Sequence, residues 1–136
     1  MSEDSICVAL MIYYARVMKS TVILGASPKE DRYAYKAQLA LQKGGHEVIP
    51  VHPTETEILG EEVIHELKDV WQAPHTVTVY INPSRFAPLV DDLIAVGPQR
   101  IIFNPGTECP ELYHEFPDHI EVIEACTLVM LSTGQY

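Results

Sequence analysis

Short runs of apolar, β-branched residues alternate with longer amphipathic segments along most of the chain. The short runs predict strands, because Gly, Pro, Asn or polar residues bound them; they lie at Thr21–Leu24, His46–Val51, Thr76–Ile81, Arg100–Phe103 and Ile120–Ile123. The amphipathic segments predict helices over Asp31–Lys43, Glu61–Val70, Arg85–Val96 (with Ser84 as its N-cap) and Glu108–Glu115. Leu59–Gly60 fits a short edge strand or a turn, and Thr127–Tyr136 fits a short helix or an extended segment.

Strand and helix patterns therefore alternate, and the predicted strands are rich in Val and Ile without a regular polar alternation. This pattern is typical of a parallel sheet that helices cover on both faces. The fold class predicted from the residues is α/β, with a three-layer arrangement around an open parallel sheet.

The composition narrows the possible partners. The chain has 136 residues and a formal net charge of −10, which suits one globular domain. The acidic balance argues against nucleic acid and against an anionic membrane surface, because binding to either needs a basic surface. It also opposes an anionic ligand at long range, so local donors must hold any such ligand.

The first residues differ from the rest of the chain. Ile6–Met18 is apolar and aromatic, but it is too short to span a bilayer and Arg16 interrupts it. We expect residues 1–19 to be an N-terminal extension, with Met18 as an alternative start, and residues 20–136 to form the domain. An extra helix packed on the domain, or a dimer contact, is the alternative role of the extension.

The cysteines Cys7, Cys109 and Cys126 lie far apart and show no metal-ligand spacing. That usage favours a reducing cytoplasm over a disulfide framework, and it predicts no metal site.

Candidate ligand-binding residues follow the predicted strands. Ligands of open parallel sheets bind beyond the carboxyl ends of the strands, where this chain has Gly25-Ala26-Ser27, Val51-His52-Pro53, Ile81-Asn82-Pro83 and Asn104-Pro105-Gly106-Thr107. Neither G-x-G-x-x-G nor a Walker Gly-Lys-Ser/Thr occurs, so NAD and P-loop chemistry are disfavoured. Lys29, Arg32 and Lys36 lie near the start of the first predicted helix, and Arg32 could grip a phosphate with its guanidinium fork.

The same positions resemble the small stand-alone CoA-binding proteins, whose domain is similar to that of the succinyl-CoA synthetase α subunit. The resemblance is carried by Gly25-Ala26-Ser27, Arg32-Tyr33, Gly45, Val48–Pro53, Leu59-Gly60, Asn104-Pro105-Gly106 and Cys126. It implies a Rossmann-like sheet of about five strands and coenzyme A as the bound cofactor. Nothing matches the phosphohistidine of the synthetase, so ligase activity is not implied.

The resemblance also implies a set of binding residues. Gly25, Ala26, Ser27, Arg32 and Tyr33 would approach the phosphates and ribose; Val51, His52 and Pro53 would border the adenine; Ile81, Asn82, Pro83, Asn104, Pro105 and Gly106 would line the pantetheine path. Where relatives often carry Trp-x-Gln-x-Gly, this chain has Asn104 in place of the Gln.

No catalytic set is evident in the sequence, so we favour binding of CoA or an acyl-CoA without catalysis. One alternative is an enzyme using CoA-thioester or thiol–disulfide chemistry through Cys109, if Cys109 lies in the first turn of a helix that lowers its thiol pKa. Another is a nucleotide-sensing module that recruits an unidentified protein partner, and a homodimer is also left open.

Overall fold

The computed structural model describes residues 5–11 and 18–136. Its strands are β1 (Thr21–Leu24), β2 (Val48–Val51), β3 (Glu57–Ile58), β4 (Glu61–Glu62), β5 (Thr76–Val79), β6 (Arg100–Phe103) and β7 (Glu121–Glu124). Its helices are α1 (residues 5–11), α2 (Tyr33–Lys43), α3 (Pro83–Phe86), α4 (Val90–Val96) and α5 (Thr127–Thr133). Short 3₁₀ segments span Leu67–Asp69, Ala87–Leu89 and Pro110–Glu115.

Five strands form one parallel sheet in the order β2-β1-β5-β6-β7. Side chains alternate between its faces, so Val22 and Leu24 pack with Phe86 of α3 on one side. On the other side Ile23 packs with Leu41 of α2, and α5 covers the same face through Met130 and Leu131. The predicted parallel sheet with helices on both faces is confirmed.

The predicted helix over Glu61–Val70 is wrong. Glu61–Glu62 pairs antiparallel with Glu57–Ile58 around the Leu59–Gly60 turn, and a 3₁₀ segment follows. The apolar residues that suggested one helical face serve both faces of the sheet, since Val63 packs in the α2 cluster and Leu67 in the α3–α4 cluster.

Two other predicted helices differ from the helices that the structure has. The Arg85–Val96 helix divides into α3, a 3₁₀ segment and α4, and its N-cap is Asn82 rather than Ser84. The Asn82 side chain accepts hydrogen bonds from the Arg85 N–H (2.9 Å) and the Ser84 hydroxyl (2.7 Å). The predicted Glu108–Glu115 helix is a 3₁₀ segment that begins at Pro110.

The prediction for residues 1–19 falls partly on residues 1–4 and 12–17, which lie outside the described residues. Within the described part, α1 is exposed and displays Ile6, Val8, Leu10 and Met11, and residues 18 and 19 lead into β1. The division at residue 20 and the role of the extension stay predictions. Within residues 5–11 and 18–136, no helix has both the length and the apolar character needed to cross a membrane.

Candidate functional site

A cleft of about 640 Å³ lies at the carboxyl edge of the sheet. Its walls are the segments that follow β1, β2, β5 and β6. β2, the next strand along the chain, lies on one side of β1, and β5 lies on the other side. The strand order therefore reverses between β1 and β5, and ligands of such sheets bind at this topological switch point. The cleft therefore occupies the position that the fold provides for a ligand.

The turn after β1 is shaped by Gly25. Its φ of +94° is in the left-handed region, and a Cβ there would lie 2.7 Å from Cγ2 of Ile81. The N–H groups of Gly25 and Ala26 donate to the Val51 carbonyl (3.2 and 3.1 Å), which ties the turn to the end of β2. The Ser27 hydroxyl oxygen accepts from the Lys29 N–H at 3.1 Å. Glycine at position 25 thus permits the close packing on which this part of the cleft depends.

The N-terminus of α2 faces the cleft through Arg32, Tyr33 and Ala34. Arg32 is the N-cap residue, but its side chain forms no capping hydrogen bond, and the first turn contains no acidic residue. The first backbone N–H groups of a helix have no partner within the helix and carry a partial positive charge. This end of α2 is consequently suited to an anionic group.

Three cationic side chains, Lys29, Arg32 and Arg85, line the same cleft. Within the part of the chain that the structure describes, the one ion pair is Lys68–Glu66, so these cations are not neutralised by carboxylates. One carboxylate, that of Glu55, also lines the cleft. The cleft has a local excess of positive charge in a protein whose net charge is −10.

The ring of His52 has a defined orientation beside the cleft. Its Nδ1 accepts from the N–H groups of Thr54 and Glu55, both at 3.1 Å. Because Nδ1 is an acceptor, the proton of the neutral ring belongs on Nε2. Nε2 is then the donor that this residue can offer to a ligand.

Most of the predicted binding residues come together in the cleft: Gly25, Ala26, Ser27, Arg32, Tyr33, His52, Pro53, Ile81, Asn82, Pro105 and Gly106. Val51 is buried and lines an adjoining pocket with Leu24 and Gly25, and Pro83 begins α3. Whether each of these residues contacts a ligand stays a prediction. Lys36 does not line the cleft, and its Nζ lies 5.3 Å from the centre of the Tyr33 ring.

Asn104 is 3% exposed and supports the loop after β6 from beneath. Its Nδ2 donates to the Thr78 hydroxyl (2.7 Å) and the Val79 carbonyl (3.0 Å), and its Oδ1 accepts from the Thr127 N–H (2.9 Å). Both amide groups are therefore engaged within the protein. The contribution of this side chain to a site is to hold Pro105 and Gly106 in place.

Three cleft-lining residues, Tyr80, Arg85 and Glu55, are not among the candidates predicted from the sequence, whereas Thr107 belongs to the predicted strand-end loop Asn104-Pro105-Gly106-Thr107. The sequence pattern places Tyr80 within the predicted strand Thr76–Ile81, but β5 ends at Val79. Arg85 is predicted only as the first residue of a helix, and the structure places it in the first turn of α3, on the wall of the cleft. The signal available for Arg85 was its place right after the Asn82–Pro83 strand end, since the first turn of a helix in that position faces the ligand side.

The conditions proposed for Cys109 chemistry are not met. Cys109 precedes the 3₁₀ segment, is 1% exposed and does not line the cleft. Burial, followed by the charges of Glu111 and Glu124, raises the pKa of its thiol above the usual value. The prediction of a helix-start cysteine with a lowered pKa is wrong, because the acidic neighbours and the buried position both disfavour a thiolate.

Sheet order and cleft position define a Rossmann-like domain with a cleft at the strand ends. Comparison with known sequences assigns it more closely: the chain belongs to the CoA-binding domain family, whose profile matches residues 19–132. The uncharacterized protein YneT of Bacillus subtilis (strain 168) is 36% identical over 52 residues, which is 38% of each chain.

Solved structures share the fold of this chain. The crystal structure of an uncharacterized protein has 45% sequence identity and a TM-score of 0.82, over 88% of this chain and 98% of that one. The dinucleotide-forming acetyl-coenzyme A synthetase 1 of Ca. Korarchaeum cryptofilum, in complex with phosphate and ADP, has 16% identity and a TM-score of 0.67. That match covers 82% of this chain and 27% of the synthetase, and it shows the shared fold alone.

Proposed function

We propose that this protein binds coenzyme A, or an acyl-CoA, in the cleft at the carboxyl ends of β1, β2, β5 and β6, and that it does so without catalysis of its own. The observation that carries the proposal is the meeting of an uncapped helix N-terminus with three unpaired cations in one cleft. Phosphate groups favour such a combination of backbone N–H donors and guanidinium groups. CoA would supply the phosphates and the thiol; the chain supplies the donors.

The residues present fit CoA in kind and in extent. The volume of about 640 Å³ lies within the range of roughly 300–1,000 Å³ that small-molecule sites have. In this proposal Arg32 and the N-terminus of α2 hold phosphates, while Lys29 and Arg85 add positive charge. His52 and Pro53 border the adenine, and the loops at Asn82 and Pro105–Gly106 border the pantetheine arm.

The net charge of −10 shapes how such a ligand would be held. Long-range electrostatic repulsion opposes a polyanion here, so affinity would depend on contacts made inside the cleft, and salt would weaken that affinity less than in a basic protein. A small CoA-binding protein of the cytoplasm also suits the cysteines, all three of which are free thiols.

A binding role is favoured over an enzyme because the described cleft offers no paired nucleophile and base. Cys109 lies outside it with a raised pKa, and His52 has no nucleophile among its hydrogen-bond partners. A nucleotide-sensing module would use the same cleft and would differ in the protein partner that it recruits.

Titration calorimetry with CoA, ADP, NAD and NADP tests the proposal, with ligand recovery checked by chromatography. CoA should bind most tightly and be recovered unchanged. Arg32→Ala should weaken CoA binding about 10- to 100-fold, because a hydrogen bond to a charged group contributes about 1.5–3 kcal/mol. Lys43→Ala, an exposed cation in the last turn of the same helix, is the matched control and should leave affinity unchanged. Equal affinities for the two variants would remove Arg32 from the site, and conversion of CoA would replace the binding role by an enzymatic one.

A further inference from the structure

A second, smaller pocket of about 260 Å³ adjoins the cleft. Its lining residues are Tyr33, Tyr80, Asn104, Pro105, Cys126 and Leu128, and it shares Tyr33, Tyr80 and Pro105 with the cleft. Asn104 directly follows β6, and Cys126 lies two residues beyond β7. The pocket is thus next to the Asn104–Gly106 loop, at the end of the proposed pantetheine path.

Two buried polar side chains of this pocket, those of Asn104 and Tyr80, have their partners within the protein. The Asn104 amide makes its hydrogen bonds to Thr78, Val79 and Thr127. The Tyr80 hydroxyl interacts with Thr78 and Thr127, and burial raises its pKa to about 12. A buried water needs two to four polar partners, and Asn104 and Tyr80 have few hydrogen-bonding groups left to offer one. An apolar group is the occupant that such walls favour.

We infer that this pocket holds the acyl group of a CoA thioester. The inference rests on the proposed function and deepens it, because it states which form of the ligand the site prefers. A ligand whose pantetheine arm reached the Asn104–Gly106 loop would carry its thioester toward the shared wall of Tyr80 and Pro105. Free CoA would leave the apolar walls without contact, whereas an acyl chain would cover them.

The size of the pocket sets the chain length. A dry apolar cavity of about 150 Å³ holds benzene, so a space of about 260 Å³ suits a chain of about four to six carbons. Each methylene buried should raise affinity about fourfold. Longer chains should gain nothing further, because the added carbons would have no wall to contact.

The experiment measures affinities for CoA, acetyl-CoA, butyryl-CoA, hexanoyl-CoA and palmitoyl-CoA by titration calorimetry and expresses each as a ratio to that of CoA. In the wild-type protein the ratio should rise through butyryl and hexanoyl and rise no further. Leu128→Trp fills the pocket and should bring all ratios close to one. Val129→Trp, whose parent residue is the 55% exposed neighbour on α5 and does not line the pocket, should keep the wild-type ratios.

Leu128→Ala gives a second readout that does not depend on the fit of a tryptophan. It enlarges the pocket, so the favoured chain should become longer. Equal affinities of wild-type protein for CoA and its thioesters would overturn the inference and leave the proposed function standing. The inference would also be overturned if both Leu128 variants kept the wild-type affinity ratios, or if Val129→Trp lost the preference for acyl-CoA as Leu128→Trp does. Absence of binding by every CoA compound would instead overturn the proposed function.

Discussion

Gly25→Ala adds a single methyl group at the point where β1 meets the cleft. The new Cβ would lie 2.7 Å from Cγ2 of Ile81 and 3.1 Å from the carbonyl carbon and oxygen of Tyr80. Two of these three neighbours are backbone atoms, which yield less readily than a side chain. Gly25 also has a φ of +94°, so alanine would be strained there whatever the space.

A matched control separates the two effects. Gly106 has a φ of +92°, almost the same as that of Gly25, but nothing lies within 4 Å of its would-be Cβ. The conformational cost of about 1–2 kcal/mol should therefore be common to Gly25→Ala and Gly106→Ala. Overpacking costs about 1–3 kcal/mol in addition, and only Gly25→Ala should show it.

Urea unfolding followed by circular dichroism measures the free energy of unfolding of each variant. We expect Gly106→Ala to lose about 1–2 kcal/mol and Gly25→Ala about 2–5 kcal/mol, with unchanged m-values. Equal losses for the two variants would refute the reasoning, because they would mean that Ile81 and Tyr80 do not pack against the turn as closely as the structure has them.

Two further stability predictions follow from buried polar groups. Asn104→Asp should lower the free energy of unfolding, measured with urea, by about 3 kcal/mol, because it removes two buried N–H donors and sets a carboxylate near the Val79 carbonyl. The control Asn82→Asp keeps the acceptor that caps α3 and should be close to neutral. Equal losses of stability in the two variants would contradict the role given to Asn104. The pKa values of His46 and His75 are both lowered, mainly by burial and then by the neighbouring cations Lys19 and Arg100. The folded state therefore favours the neutral forms of both histidines. The unfolded chain then takes up more protons than the folded protein as pH falls below about 6.5, so the free energy of unfolding should decrease there and be constant above that pH. His46→Gln should reduce this dependence of stability on pH, and the exposed control His114→Gln should not. A His46→Gln variant that keeps the full pH dependence would contradict its origin in His46.

The parts of the fold predicted from sequence are those whose signal is local. The β1 run ending at Gly25, the 3.6-residue periodicity of α2 and the apolar run of β6 each carry their own evidence, and each is confirmed within two residues. The segment after Gly60 could not be predicted in this way. Its apolar residues divide between two core clusters, and that division depends on the edge of a sheet that the local pattern does not show.

The same distinction applies to the candidate site. Loops at strand ends could be predicted to converge, because parallel strands all point the same way, and the cleft brings most of them together. The burial of Cys109 and the internal hydrogen bonds of Asn104 could not be foreseen. Both depend on side chains that meet across distant elements, such as the contact of Asn104 with Thr127 of α5.

Nuclear magnetic resonance of the ¹⁵N-labelled protein during titration with CoA tests the central claim most directly, since it reports on each backbone amide. The account predicts that the largest shifts fall on residues 25–34, 52–55, 80–82 and 105–107, while amides at the opposite edge of the sheet, such as those of His46 and His75, hold their positions. Shifts concentrated at that opposite edge, or no shifts at millimolar CoA, would contradict it.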